Sequence, residues 1–118
     1  MKFHHFALEV LDLEKTKKFY KEVLGFSDNS CIDFMGEEVL FLKNGETKIE
    51  LLKRTKGPGI SSNAHFCFEA DGMNKLLKQF KKYGYHPIEG PYQLKNGWTT
   101  VFFEGPEQEI LEFIELPK

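Results

Sequence analysis

The feature that most constrains this 118-residue chain is an internal repeat. His5 and His65 stand 60 residues apart, Asp12 and Asp71 59, Gly25 and Gly84 59, and Glu50 and Glu112 62. Self-similarity at a fixed period marks a duplicated structural unit that cannot cover its own apolar face. In both copies the hydrophobic pattern runs at period 2, then at helical spacing, then at period 2 again.

The first copy opens on FHHFALEV (3–10), where Phe6, Leu8 and Val10 alternate with His5, Ala7 and Glu9. That spacing predicts a strand. Asp12 then stands as the N-cap of a helix over 13–24, with a stripe of Leu13, Thr16, Phe19/Tyr20 and Val23/Leu24 and a stop at Gly25. Three strands are expected at 27–34, 38–42 and 47–53, with turns at Gly36 and Asn44-Gly45. The second copy repeats the order. NAHFCFEA (63–70) reads as a strand, and Asp71 opens a helix over 72–83 carrying Met73, Leu76/Leu77, Phe80 and Tyr83. Gly84 ends it, and strands follow near 86–88, 98–104 and 109–115, with an Asn96-Gly97 turn. RTKGPGISS (54–62) is the Gly/Pro/Ser-rich linker. The expected fold is α+β: modules 1–53 and 63–118, each βαβββ, in a single domain with one curved eight-stranded mixed sheet around a cavity.

Composition narrows the function. A chain of this length buries roughly two thirds of its unfolded surface, and 41% hydrophobic residues with twelve Phe exclude disorder. Sixteen basic against eighteen acidic residues, net charge −2, exclude a nucleic-acid footprint. No run approaches the roughly 18 apolar residues of a membrane span, and MKFHHFALEVLDLEK lacks the apolar core of a signal peptide. Two cysteines, Cys31 and Cys67, build no disulfide framework. The expectation is a soluble, cytoplasmic protein whose partner is a small-molecule substrate.

Strand alternation says where the chemistry sits. Phe6/Leu8/Val10, Ile49/Leu51, Phe66/Phe68 and Leu111/Phe113 are assigned to the helix-covered faces. The residues between them then share the opposite wall: His5, Ala7 and Glu9; Lys48, Glu50 and Leu52; His65, Cys67 and Glu69; Ile110, Glu112 and Ile114. Two histidines and two carboxylates at equivalent repeat positions suit a divalent metal: Zn, Ni, Co, Mn or Fe. The reading therefore assigns His5, Glu50, His65 and Glu112 as metal ligands. Cys67, with Ala7 as its repeat equivalent, lines the wall, and Glu9 and Glu69 face inward as groups at the rim or behind the ligands. His4 is read as structural on the helix side or strand edge, His86 as surface, and Trp98 as packing or closing the pocket mouth.

HHFALEVLDLEKTKKFYKEVLGF resembles the opening of vicinal-oxygen-chelate proteins, the glyoxalase/bleomycin-resistance/dioxygenase superfamily. TKIELL resembles their second-ligand strand, AHFCFEADG the second-module opening, and FFEGPEQEILEFIE the final segment, so the resemblance spans essentially the whole chain. It implies a divalent-metal site and pairing into homodimers. The complete His/Glu quartet most resembles glyoxalase I and next the methylmalonyl-CoA epimerases, where the Glu50 position is often Gln. That resemblance implies a lyase or isomerase moving a proton through a metal-bound enediolate of a 2-oxoaldehyde–thiol adduct or related carbonyl, with Glu112 the first candidate for the base and Glu50 the second. A non-catalytic binding or resistance protein of the same fold is the alternative. Three places depart from the pattern. Glu9 and Arg54 stand where bacterial glyoxalase I carries Arg and Asn, and the usual Asp-Pro-x-Gly turn reads Gly105-Pro106-Glu107-Gln108.

Overall fold

The computed structural model describes residues 4–34, 37–53 and 65–117. The first residues of the opening strand, Gly36, the 54–62 linker with Arg54, and residues 63–64 lie outside them. The chain divides into two compact units, residues 1–60 and 61–118.

The first unit runs β1 (Phe6–Val10), α1 (Leu13–Glu22), β2 (Ser27–Phe34), β3 (Glu37–Asn44) and β4 (Thr47–Lys53). The second runs β5 (Phe66–Glu69), α2 (Met73–Lys82), β6 (Glu89–Gln93), β7 (Thr99–Glu104) and β8 (Ile110–Glu115). The expected βαβββ order therefore holds in both. Each unit forms its own four-stranded mixed sheet, ordered β1-β4-β3-β2 and β5-β8-β7-β6. The opening strand lies parallel to the last in each copy, β1 on β4 and β5 on β8, and the other pairings are antiparallel.

The cores follow from the alternation. Leu8, Val10, Ile49 and Leu51 are buried in the first unit with Phe19 and Tyr20 of α1. In the second, Phe80 of α2 stacks on Phe103 at a centroid distance of 4.0 Å and meets Phe113 edge-on at 5.3 Å. Both helices stop the same way. Gly25 and Gly84 take positive φ, 77° and 86°, and the next residue's N–H reaches back to the Tyr20 and Phe80 carbonyls at 2.9 Å.

Two local expectations need correction. Asp12 caps α1, accepting from the Lys15 N–H at 3.0 Å, but Asp71 does not cap α2. Gly72 occupies the N-cap at φ 98°, and the Met73 N–H donates instead to the Glu115 carboxylate from β8. A carboxylate brought in by the sheet satisfies the donor that the local residue leaves open. The strand expected near 86–88 lies at Glu89–Gln93. It contains Pro91, which a sheet tolerates because β6 is the edge strand.

The altered turn has its own logic. A Cβ on Gly105 would stand 2.4 Å from the Glu109 carboxyl carbon, so glycine there leaves room for Glu109 to fold back over the turn. The buried Glu109 carboxylate accepts the Glu107 N–H at 2.8 Å, and the Gln108 N–H donates to the Gly105 carbonyl at 3.0 Å. Gln108, where the pattern has glycine, takes φ 69°. A side chain in that left-handed region costs about 1–2 kcal/mol, partly offset by glycine's larger unfolded-state entropy. Gln108→Gly is expected to stabilise the protein by about 0.5–1 kcal/mol in urea titration, and a loss of stability would refute the turn analysis.

Candidate metal centre

In the first unit, register places Ala7, Phe41 and Glu50 side by side on the wall away from α1. His5, just before β1, leans on Phe41 with ring centroids 5.0 Å apart. Its Nε2 lies 2.9 Å from Oε2 of Glu50, and both side chains are partly shielded, 30% and 20% exposed. The other ring nitrogen is engaged too: His5 Nδ1 lies 2.8 Å from Nδ1 of His4. His4 precedes β1, is exposed, and stacks edge-on against His5. That corrects the reading of His4 as a helix-side residue, since alternation ends where the strand does. The His4 contact thus engages the ring nitrogen of His5 that Glu50 does not reach.

The second unit repeats the pair. Cys67, Phe102 and Glu112 stand side by side on the wall, and His65 lies edge-on to Phe102 at 6.0 Å. His65 Nε2 is 2.9 Å from Oε1 of Glu112, with the carboxylate 18% exposed. Here the carboxylate has further donors. The Thr100 hydroxyl donates to Oε2 at 2.6 Å, and the Cys67 thiol also hydrogen-bonds to Glu112. Burial pushes the Glu112 carboxyl up, but the donors Thr100, His65 and Cys67 outweigh it and hold the carboxyl below its usual range. The Cys67 thiol moves the opposite way. Burial first, then the neighbouring negative charge, push it up to about 11, so it is a neutral donor and a poor thiolate ligand.

Glu9 and Glu69 are exposed, and His86 and Trp98 lie on the surface. Among the described residues neither unit by itself gathers three His, Cys, Asp or Glu side chains around one point. Each contributes one imidazole and one carboxylate, nitrogen and oxygen donors of the kind that suit a borderline divalent cation. Alternation found both pairs but missed Thr100. The signal was present: counting back across the 105–109 turn pairs Phe102 with Glu112, which puts Thr100 diagonally beside the carboxylate, where the first copy has the apolar Val39.

Comparison with known proteins gives the same picture of fold and family. Residues 2–113 match the model of the Glyoxalase/Bleomycin resistance protein/Dioxygenase superfamily. Mitochondrial methylmalonyl-CoA epimerase from Homo sapiens is 31% identical in a 96-residue alignment that covers 69% of this chain and 53% of the epimerase. The chain spans about half the length of the mammalian epimerases it matches. Among solved structures, a glyoxalase family protein from Enterococcus faecalis superimposes with a TM-score of 0.82 at 23% identity, covering 97% of each chain. A mutant of the fosfomycin resistance protein FosX from Listeria monocytogenes, complexed with Mn(II) and 1S,2S-dihydroxypropylphosphonic acid, superimposes with a TM-score of 0.83 at 14% identity, covering 98% and 92%.

Proposed function

The chain belongs to the glyoxalase/bleomycin resistance protein/dioxygenase superfamily, and we propose that within it the chain is a divalent-metal-dependent enzyme moving a proton at a carbon next to a carbonyl. The observation that carries this reading is the pair of equivalent contacts, His5–Glu50 and His65–Glu112, each at 2.9 Å. A protein that only sequesters a ligand needs no such matched donors. In this reading His5, Glu50, His65 and Glu112 form one ligand set for Ni, Zn, Co or Mn. The bound cation supplies Lewis-acid polarisation of a substrate carbonyl. Glu112 takes and returns the proton, and Glu50 is the second carboxylate able to do so. In this reading each imidazole meets the cation through a ring nitrogen, and the His4 contact keeps the His5 ring in place.

Two substrate classes fit that chemistry: a 2-oxoaldehyde–thiol adduct, as for glyoxalase I, and an acyl thioester epimerised next to its carbonyl. The similarity to methylmalonyl-CoA epimerase favours the second. So does Glu9, whose negative charge on the exposed rim is the reverse of the arginine that meets glutathione in bacterial glyoxalase I. A homodimer is the working assembly in this reading, which sedimentation of the intact chain tests.

The reading is tested by metal-linked stability. At a free metal concentration one hundred times Kd, binding stabilises the native state by about 2.7 kcal/mol, a Tm rise of about 10 °C for a chain this size. His5→Ala and His65→Ala should abolish the rise, and His4→Ala should weaken it. Loading with Ni²⁺, Co²⁺, Zn²⁺ or Mn²⁺ should then bring out deuterium exchange next to the carbonyl in one substrate of a panel of acyl-CoA thioesters and 2-oxoaldehyde–thiol adducts. Metal binding without exchange in any of them would favour the binding-protein alternative.

A further inference from the structure

The two carboxylates occupy equivalent places in the repeat but are not equally held. Glu50 pairs with His5, and the wall positions flanking it are Ala7 and Val39. At the corresponding positions Glu112 has Cys67 and Thr100, both of which donate to it. Thr100 is 4% exposed, so its hydroxyl is shielded from water and spends its proton on Oε2 of Glu112. A short hydrogen bond to a charged oxygen is about twice as strong as a neutral one and has a preferred direction. It fixes the rotation of the carboxylate and leaves Oε1, 2.9 Å from His65 Nε2, as the oxygen not held by the hydroxyl.

We propose that Thr100 is the positioning residue of the second His/Glu pair: its buried hydroxyl holds Oε2 of Glu112, so that Oε1 alone is presented beside His65 Nε2 to the cation. The inference rests on the metal-dependent reading above. It also makes the two halves of the ligand set unequal. Glu112 is a pre-oriented ligand through one oxygen, whereas the Ala7 and Val39 positions offer Glu50 no side-chain donor. The two copies share their strand pairing and differ in the two wall side chains beside the carboxylate.

The test uses the intact chain and isothermal titration with Mn²⁺ or Ni²⁺ alone. Thr100→Val keeps shape and removes the hydroxyl, and Thr100→Ser keeps the hydroxyl and removes the methyl. Loss of an outer-shell partner typically weakens metal affinity by about 10–100-fold, so the valine variant should show that loss. The serine variant should return to within about threefold of the wild type. Should Thr100→Val fail to fold, Thr100→Ala carries the same measurement, since it adds no atoms to the wall. A merely structural threonine would give a lower Tm in metal-free protein with an unchanged metal Kd, and that result overturns the proposal. Equal loss in the serine and valine variants overturns it as well, because the hydroxyl would then not be the active feature. Absence of metal binding in the wild type itself is a separate outcome. It removes the metal-dependent reading and this inference with it, whereas wild-type binding that Thr100→Val leaves intact removes the inference alone.

Discussion

Glu112→Gln is expected to lower kcat by about 10²–10⁴-fold on the substrate that the wild type turns over, the usual contribution of a positioned general base. The amide keeps a carbonyl oxygen of nearly the same reach, so metal content should fall only in part. It has no basic site, so proton transfer should fail even where the cation stays. The loss should appear in kcat and kcat/KM together, because the missing interaction belongs to the transition state. Glu50→Gln should be milder, since the carboxylate of Glu50 lacks the donors that orient Glu112. Glu9→Gln should alter KM more than kcat, as an exposed rim contact would. Near-full turnover by metal-loaded Glu112→Gln would transfer the proton-carrying role to Glu50. The same variant reports on stability. The Glu112 carboxyl is held below its usual range, so its ionised form stabilises the fold above that range and the contribution fades as pH falls through the lowered value. The stability gap between wild type and Glu112→Gln should therefore narrow in acid.

Phe80→Ala should produce the largest loss of stability among single truncations in the second unit. Its ring is 1% exposed, stacked on Phe103 and in edge contact with Phe113 and Tyr85. Truncating a buried Phe costs about 3–5 kcal/mol through lost transfer energy and the cavity left behind. A chain of this length has a total stability of about 6–18 kcal/mol, so the variant approaches the margin of folding. Urea denaturation should show a large drop in midpoint with little change in slope. Tyr83→Ala, at the C-cap just past the same helix and 39% exposed, should cost less than about 1 kcal/mol. A Phe80→Ala penalty below about 1.5 kcal/mol would mean that α2 does not anchor the second core.

Period-2 and helical alternation, repeated twice, were enough to read both helices, the order of elements along each module and the buried faces of the strands. That information is local, because each side chain's direction follows from its place along one strand or one turn of helix. Module identity was equally legible, since a repeat compares the chain with itself. The one misplaced strand failed for a local reason: Pro87 and Pro91 blur the pattern that positions β6. What the sequence could not decide was which atoms answer each other across strands. Glu115 replaces Asp71 at the start of α2 because β8 passes that helix end. His4 turns to His5 because the chain has not yet entered β1. Thr100 reaches Glu112 because the register of the β7–β8 hairpin makes them diagonal neighbours, 12 residues apart in sequence but 2.6 Å apart in space. The faces were settled by the sequence, and the partners on those faces by tertiary structure, because a hydrogen bond depends on register and distance that alternation does not encode.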